Sequence, residues 1–308
     1  MKKFPRCFRT AVLILTLGVG CIAMALSESD KKTVETSYPG LASGALMQGL
    51  LSDLPDGVLL KTEGLEISKK DMEQEIQKLP AEMKTQMEKN RLFLLEQMAT
   101  RRLLVLLALN DSGTTHTEQV ENSLIRSYFE NLTKDISVSD KEVADFYEKN
   151  KDMCGGASLD KIASELKSYV LQQKKQDAVQ SHIQNIGKTR PIFVSAAWVK
   201  EQAALASDNP VDKARSSGKP SMVDFGASGC RPCDMMTPIL GTLGKKYEGK
   251  INILFVHVNK ERILAVRFGI QSIPVQVFFD KTGREVFRHT GFFPQEEIEN
   301  KLSELGMK

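Results

Sequence analysis

One stretch constrains the chain more than any other: Ser221-Met-Val-Asp-Phe-Gly-Ala-Ser-Gly-Cys230-Arg-Pro-Cys233-Asp-Met-Met-Thr-Pro238. Met222 to Phe225 is a short apolar run broken by one acid, the pattern of a buried strand. Gly226 to Gly229 is turn chemistry. From Cys230 onward, Met235, Met236, Ile239, Leu240 and Leu243 recur at helical spacing. Cys230 is thus expected at a helix N-terminus, where unpaired N–H groups and the helix dipole favour an anion. A thiolate is such an anion, and there its pKa falls below the free value of about 8.5. Arg231 adds a positive charge beside it, which favours the same form. Cys233 lies on the same helical face, close enough to close a disulfide with Cys230. Pro232 fits the first turn, where its missing N–H costs little. A second C-x-x-C or a spaced His pair, which a zinc site needs, is absent from the sequence.

The pattern resembles the thioredoxin family and continues past the cysteines. Asp224 stands where that family keeps a buried acid, Pro238 where it kinks the active-site helix, and Ile273-Pro274 where it has a cis-proline pair. The strand Val275 to Phe279, the turn Asp280-Lys-Thr-Gly283, the strand Glu285 to Arg288, Gly291 and a helix from Gln295 to Leu305 complete the likeness. The resemblance implies Cys230 as nucleophile, Cys233 as resolving thiol, Asp224 as proton acceptor for Cys233, and the Ile273 backbone beside Pro274 as a docking edge for substrate. Two departures stand out. Glycines at 226 and 229 replace the family's aromatics, which is expected to leave one side of the disulfide more open. His257 is expected where the family has a lysine opposite the acid.

At 308 residues the chain is too long for one such unit. Residues 1–25 read as a signal peptide, with Lys2, Lys3, Arg6 and Arg9 before an apolar run and Ala23-Met-Ala25 as cleavage site. Lipid attachment at Cys21, after Gly20, is the rival processing. Either way the protein is expected to be exported, for example to a periplasm. Cys154, Cys230 and Cys233 then remain, too few for a disulfide scaffold and suited to one redox pair plus a spare thiol. A net charge of +3 makes no case for nucleic acid, and the four scattered histidines make none for a metal. Neither a metal nor an organic cofactor is expected.

Residues 26–57, rich in Ser, Gly, Glu and Lys, read as a flexible tether. Residues 58–200 read as a helical domain. It opens with a hairpin over Val58 to Ile67, and Ser68 with Asp71 forms a capping box. Pro80 stops that helix, the apolar helix Arg91 to Leu109 follows, and Ser139 with Glu142 forms another box. A long helix starts at Leu159, and Ile192 to Val194 closes as a strand. Glu96, Arg101 and Arg102 interrupt the apolar helix, so it reads as domain core and not as a membrane span. This order resembles the N-terminal chaperone domain of parvulin-fused foldases of the SurA type, without the isomerase insertion, and implies a peptide-binding module. Residues 201–219 read as a linker and 220–308 as the thioredoxin fold.

The expected fold is therefore an all-α, SurA-like domain followed by an α/β thioredoxin domain. The expected function is exported thiol–disulfide exchange on disulfide-bearing or unfolded polypeptides, served by a membrane or soluble redox partner. The alternative is a holdase that uses the thioredoxin fold only for docking. The direction of electron flow stays open: the helix-terminal thiolate leans oxidising, whereas the C-x-P-C spelling resembles reductants.

Overall fold

The computed structural model describes residues 32–109, 117–154 and 156–307; residues 1–25, read as a signal peptide, and Cys21 lie outside them. Thr33 opens the described chain with a capping box: its hydroxyl accepts from Thr36 N and the Thr36 hydroxyl accepts from Thr33 N. The short helix α1 (Val34–Ser37), a 3-10 turn over Ala45–Gln48 and strand β1 (Leu50–Ser52) follow. Val34, Ala45 and Leu46 are fully buried. The buried carboxylate of Glu96 accepts hydrogen bonds from the backbone N–H groups of Ser43, Gly44 and Leu46. Residues 33–52 are thus folded structure with a buried face, which corrects the reading of that part of 26–57 as a tether. Elements of three or four residues carry no legible hydrophobic period, and their hydrogen-bond partner lies some fifty residues downstream.

The hairpin forms as β2 (Val58–Thr62) and β3 (Leu65–Ser68). Ser68 and Asp71 make a reciprocal capping box at the start of α2 (Lys69–Lys78), and Pro80 caps α3 (Ala81–Glu88). The apolar segment is α4 (Arg91–Leu109), with Leu95, Ala99 and Leu103 completely buried. Helices α5 (Glu118–Thr133), α6 (Asp140–Lys149) and α7 (Leu159–Thr189) follow, and Ser139 with Glu142 caps α6. No helix among the described residues is long and apolar enough to cross a membrane. Strand β4 (Phe193–Ser195) then pairs with both β2 and β1, giving a small sheet of order β1-β4-β2-β3. Helices dominate this half, but they pack around a sheet.

Residues 201–219, read as a linker, are largely helical. Helix α8 (Ala196–Ala206) buries Trp198, Val199 and Ala203 against the helical core, and Asn209 caps α9 (Pro210–Arg215). Asp212 of α9 accepts from both Arg215 and Arg267, and all three are buried. Arg215 also donates to the carbonyls of Gly283 and Pro39, and Arg267 to that of Ala206. The sequence shows Asp212 and Arg215 as ordinary charges in a polar stretch and Arg267 as one charge in an apolar one. Only folding reveals that they satisfy one another.

The last part runs β5 (Ser221–Gly226), α10 (Arg231–Lys246), β6 (Asn252–His257), α11 (Arg262–Arg267), β7 (Val275–Phe279), β8 (Glu285–Thr290) and α12 (Gln295–Glu304). The sheet order is β6-β5-β7-β8, with β5 and β6 parallel and the other pairs antiparallel. Alternate residues of β5 serve opposite faces. Val223 and Phe225 join one cluster with Phe268 and Phe279, while Met222 joins another with Met236, Phe278 and Ile298.

Candidate active site

The buried strand β5 ends at Gly226, and the turn of residues 227–229 delivers the chain to α10, with Gly229 at φ +80°. Cys230 is the N-cap of that helix, and Cys233 N points to its Sγ at 3.4 Å. The two cysteines form a disulfide. Cys230 is half-buried and Cys233 only 3% exposed, so the first sulfur faces outward and the second faces the core. Arg231 occupies the first helical position and is exposed; Pro232 follows it in the first turn. Pro238 lies inside the helix.

Across from the disulfide, the Ile273–Pro274 peptide is cis, and the Ile273 carbonyl oxygen lies 3.9 Å from Cys230 Sγ. The structure therefore brings Cys230, Cys233, Ile273 and Pro274 together.

Asp224 shares a strand face with Met222 and Gly226. That is the α10 side, because a Cβ built on Gly226 would lie 3.5 Å from Cys233 Sγ. Asp224 is fully buried. Burial pushes its carboxyl up to about 6, against the opposing pull of a hydrogen bond from the Gln276 amide. That bond, Gln276 Nε2 to Asp224 Oδ1, is 2.6 Å long. Asp224 Oδ2 and Gln276 Oε1 are buried without hydrogen-bond partners.

The register corrects the expectation for His257. Phe255, not His257, stands opposite Asp224 on β6, and His257 stands opposite Gly226. Its Nε2 lies 3.4 Å from Ser228 N and 3.3 Å from Ser228 Oγ, so it supports the turn before Cys230. Phe255 also alters the expected opening beside Gly226. Its ring edge lies 2.9 Å from where a Cβ on Gly226 would sit. An aromatic on the neighbouring strand thus occupies the space the glycine leaves.

Gln276 was detectable in principle. It is the one polar residue in the apolar run Val275-Gln-Val-Phe-Phe279, just as Asp224 is the one acid in Met222 to Phe225. Two isolated polar residues on core strands must find partners. Their pairing needed the register of β5 against β7, which the sequence does not print.

A cleft of about 1000 Å³ extends from this site. Ser272, Ile273 and Thr290 line it from the sheet side, and Phe146, Tyr169 and Gln176 from α6 and α7. Among the described residues, no group of His, Cys, Asp and Glu is arranged to hold a metal ion.

Comparison with known proteins adds relatives for one part of the chain. The family described as thioredoxin-like domain matches residues 208–306. A thioredoxin of Alicyclobacillus acidocaldarius is 33% identical over 99 residues, 32% of this chain and 93% of its own length. One from Staphylococcus saprophyticus is 40% identical over 78 residues, 25% of this chain and 74% of its own length. Among solved structures, a thioredoxin of Nicotiana alata is similar at 29% identity and a TM-score of 0.28, covering 30% of this chain and 79% of its own.

Proposed function

We propose, from the premise that this chain belongs to the thioredoxin family through residues 208–306, that it is an exported thiol–disulfide oxidoreductase acting on polypeptide disulfides. The observation that carries the reading is the pairing of a half-buried Cys230 at a helix N-cap with a buried Cys233, beside the half-buried Ile273 and its cis peptide to Pro274.

In the reducing direction, the Cys230 thiolate attacks one sulfur of a substrate disulfide. A Cys230–substrate bond forms, the substrate S–S bond breaks, and the departing thiolate takes up a proton. Cys233 then gives its proton to the Asp224 carboxylate and attacks Cys230 Sγ. The substrate leaves as its second thiolate, and the Cys230–Cys233 disulfide is restored. The same steps reversed oxidise a dithiol. The helix N-terminus and Arg231 favour the Cys230 thiolate. A buried acid held near 6 can accept the Cys233 proton and release it again close to neutral pH. A redox partner, membrane-bound or soluble, would return the pair to its starting state.

The helical half would present the polypeptide. Its support is the cleft, which joins α6 and α7 to the Ile273 end of the site. Its volume is at the upper end for ligand sites, about 300–1000 Å³, which suits a chain segment better than a small disulfide. Hydrogen bonds from the buried Arg215 to the Pro39 carbonyl and from Arg267 to the Ala206 carbonyl join the two halves, so client delivery would not depend on a flexible linker. The signal-peptide features of residues 1–25 support export.

Paired assays on the full chain test this reading. Tyr169→Ala with Gln176→Ala should raise KM for an unfolded, multi-disulfide protein several-fold and leave reduction of a small disulfide unchanged. A KM for the unfolded protein unchanged from the wild type would remove the cleft from the mechanism. Cys230→Ser should abolish both reductions. A Cys230→Ser protein that keeps its full effect on disulfide-bearing clients would favour the holdase instead.

A further inference from the structure

The one hydrogen bond to the buried acid comes from a side chain that no part of the exchange reaction yet employs. Asp224 and Gln276 face each other in register across β5 and β7, both are completely buried, and Nε2 donates to Oδ1 at 2.6 Å. The Asp224 carboxyl is otherwise isolated. Opposite it on β6 is the apolar Phe255. His257 stands two residues further on; its Nε2 is engaged by Ser228 and its Nδ1 is buried without a partner. On β8, His289 is opposite Gln276, but its Nε2 lies 3.1 Å from the Phe292 carbonyl and its ring stacks on Phe293. From α10 the titratable neighbour is Cys233. On α9 and α11, Asp212, Arg215 and Arg267 are bonded to one another and to backbone carbonyls. Burial and Gln276 are therefore the two influences on the carboxyl's charge.

A group that both takes and gives a proton needs a partner suited to each state. An ammonium offers only donors and would hold the acid ionised. A carboxamide carries two N–H donors and a carbonyl acceptor in nearly the same shape, so a half-turn of the amide exchanges them. We infer that Gln276 is a positioning residue for thiol–disulfide exchange, holding Asp224 through both protonation states. It donates N–H to the carboxylate before Cys233 is deprotonated. Once the Cys233 proton has moved to the carboxyl oxygen, its own carbonyl accepts that O–H. The proton count is closed: S–H and CO₂⁻ become S⁻ and CO₂H, and the amide gains or loses no proton. Gln276 Oε1, buried and unpartnered beside the ionisable carboxyl, is the acceptor this second state requires.

The inference rests on Asp224 serving as the base, and the test separates the two claims. The Asp224 carboxyl is titrated by carbon NMR in the reduced full chain. In parallel, the pH profile of substrate release from a Cys230 mixed disulfide is measured for the wild type, Gln276→Leu, Gln276→Asn and Asp224→Asn. Loss of a hydrogen bond to the charged form should raise the carboxyl midpoint in Gln276→Leu by about one pH unit or more. The midpoint of the release profile should rise with it, so release slows about tenfold below that midpoint. Gln276→Asn, one methylene too short to reach, should do the same and serves if the leucine variant does not fold. The inference is overturned if both Gln276 variants keep the wild-type midpoint while Asp224→Asn removes it. If Asp224→Asn leaves the profile unchanged, Asp224 is not the base, and the role of Gln276 falls with it.

Discussion

Arg215 Nη2 donates a 2.9 Å hydrogen bond to the carbonyl of Pro39, a residue 176 positions earlier in the chain. The same guanidinium bonds Asp212 and the Gly283 carbonyl, so one buried cation joins the first described segment, α9 and the turn before β8. The helical half and the redox half are therefore parts of one packed structure. Ile263 of α11 lies in the same apolar cluster as Leu95 and Trp198, which makes the same point through packing.

Removing this cation should cost more than a typical core substitution. Breaking a buried ion pair by deleting one partner costs about 3–5 kcal/mol. Arg215→Met should therefore lower the urea midpoint clearly, with Asp212 left to Arg267 alone and two carbonyls left unpaired. Denaturation followed by circular dichroism measures this. A midpoint within error of the wild type would mean that this guanidinium does not hold the halves together.

Two glycines should respond differently to alanine. At Gly187 the added methyl would meet the Ala45 carbonyl oxygen at 2.1 Å, so backbone must move against backbone between α7 and the 3-10 turn. At Gly226 it would meet the ring edge of Phe255 at 2.9 Å, and that side chain is 49% exposed and free to swing. Gly187→Ala should destabilise by about 3 kcal/mol or more, in the range of severe overpacking, and Gly226→Ala by less than about 1 kcal/mol. Thermal melts of the two variants decide it; the reverse order would contradict the packing described.

Asp224 should make stability pH-dependent in a definite direction. Its folded pKa of about 6 is above the ordinary value of 3.8, so the folded state holds the proton more tightly. The resulting stabilisation is complete below 3.8 and is lost as pH rises through about 6. By that shift, Asp224→Asn should be more stable than the wild type at pH 7.5, by up to about 3 kcal/mol, and the gain should vanish by pH 3.5. Paired denaturation curves at the two pH values measure it. An equal difference at both would show that ionisation of Asp224 carries no cost in the fold.

What could be read from the sequence was chemistry carried by near neighbours. The boxes Ser68 with Asp71 and Ser139 with Glu142 sit three residues apart, and both form. Cys230 is the N-cap of its helix, and the Ile273–Pro274 bond is cis. What could not be read were pairings between distant segments. Glu96 with the turn at Ser43–Leu46, Arg215 with Pro39, and Gln276 with Asp224 each join residues about fifty or more positions apart. A residue such as Gln276 or Glu96 stands out in its apolar run, but the run does not say which distant segment it meets. The misplacement of His257 has the same origin, because a shift of two residues along β6 preserves its inward and outward pattern.

The most direct test of the exchange reaction is covalent trapping. Reduced wild type, Cys230→Ser and Cys233→Ser are incubated with a disulfide-bearing unfolded protein, quenched in acid and separated without reductant. With Cys230 as the attacking sulfur and Cys233 as the resolving one, Cys233→Ser should accumulate a stable mixed disulfide with the substrate. Cys230→Ser should give none, and the wild type should turn over without accumulation. Accumulation by Cys230→Ser through Cys233, or an adduct on neither variant, would contradict the mechanism.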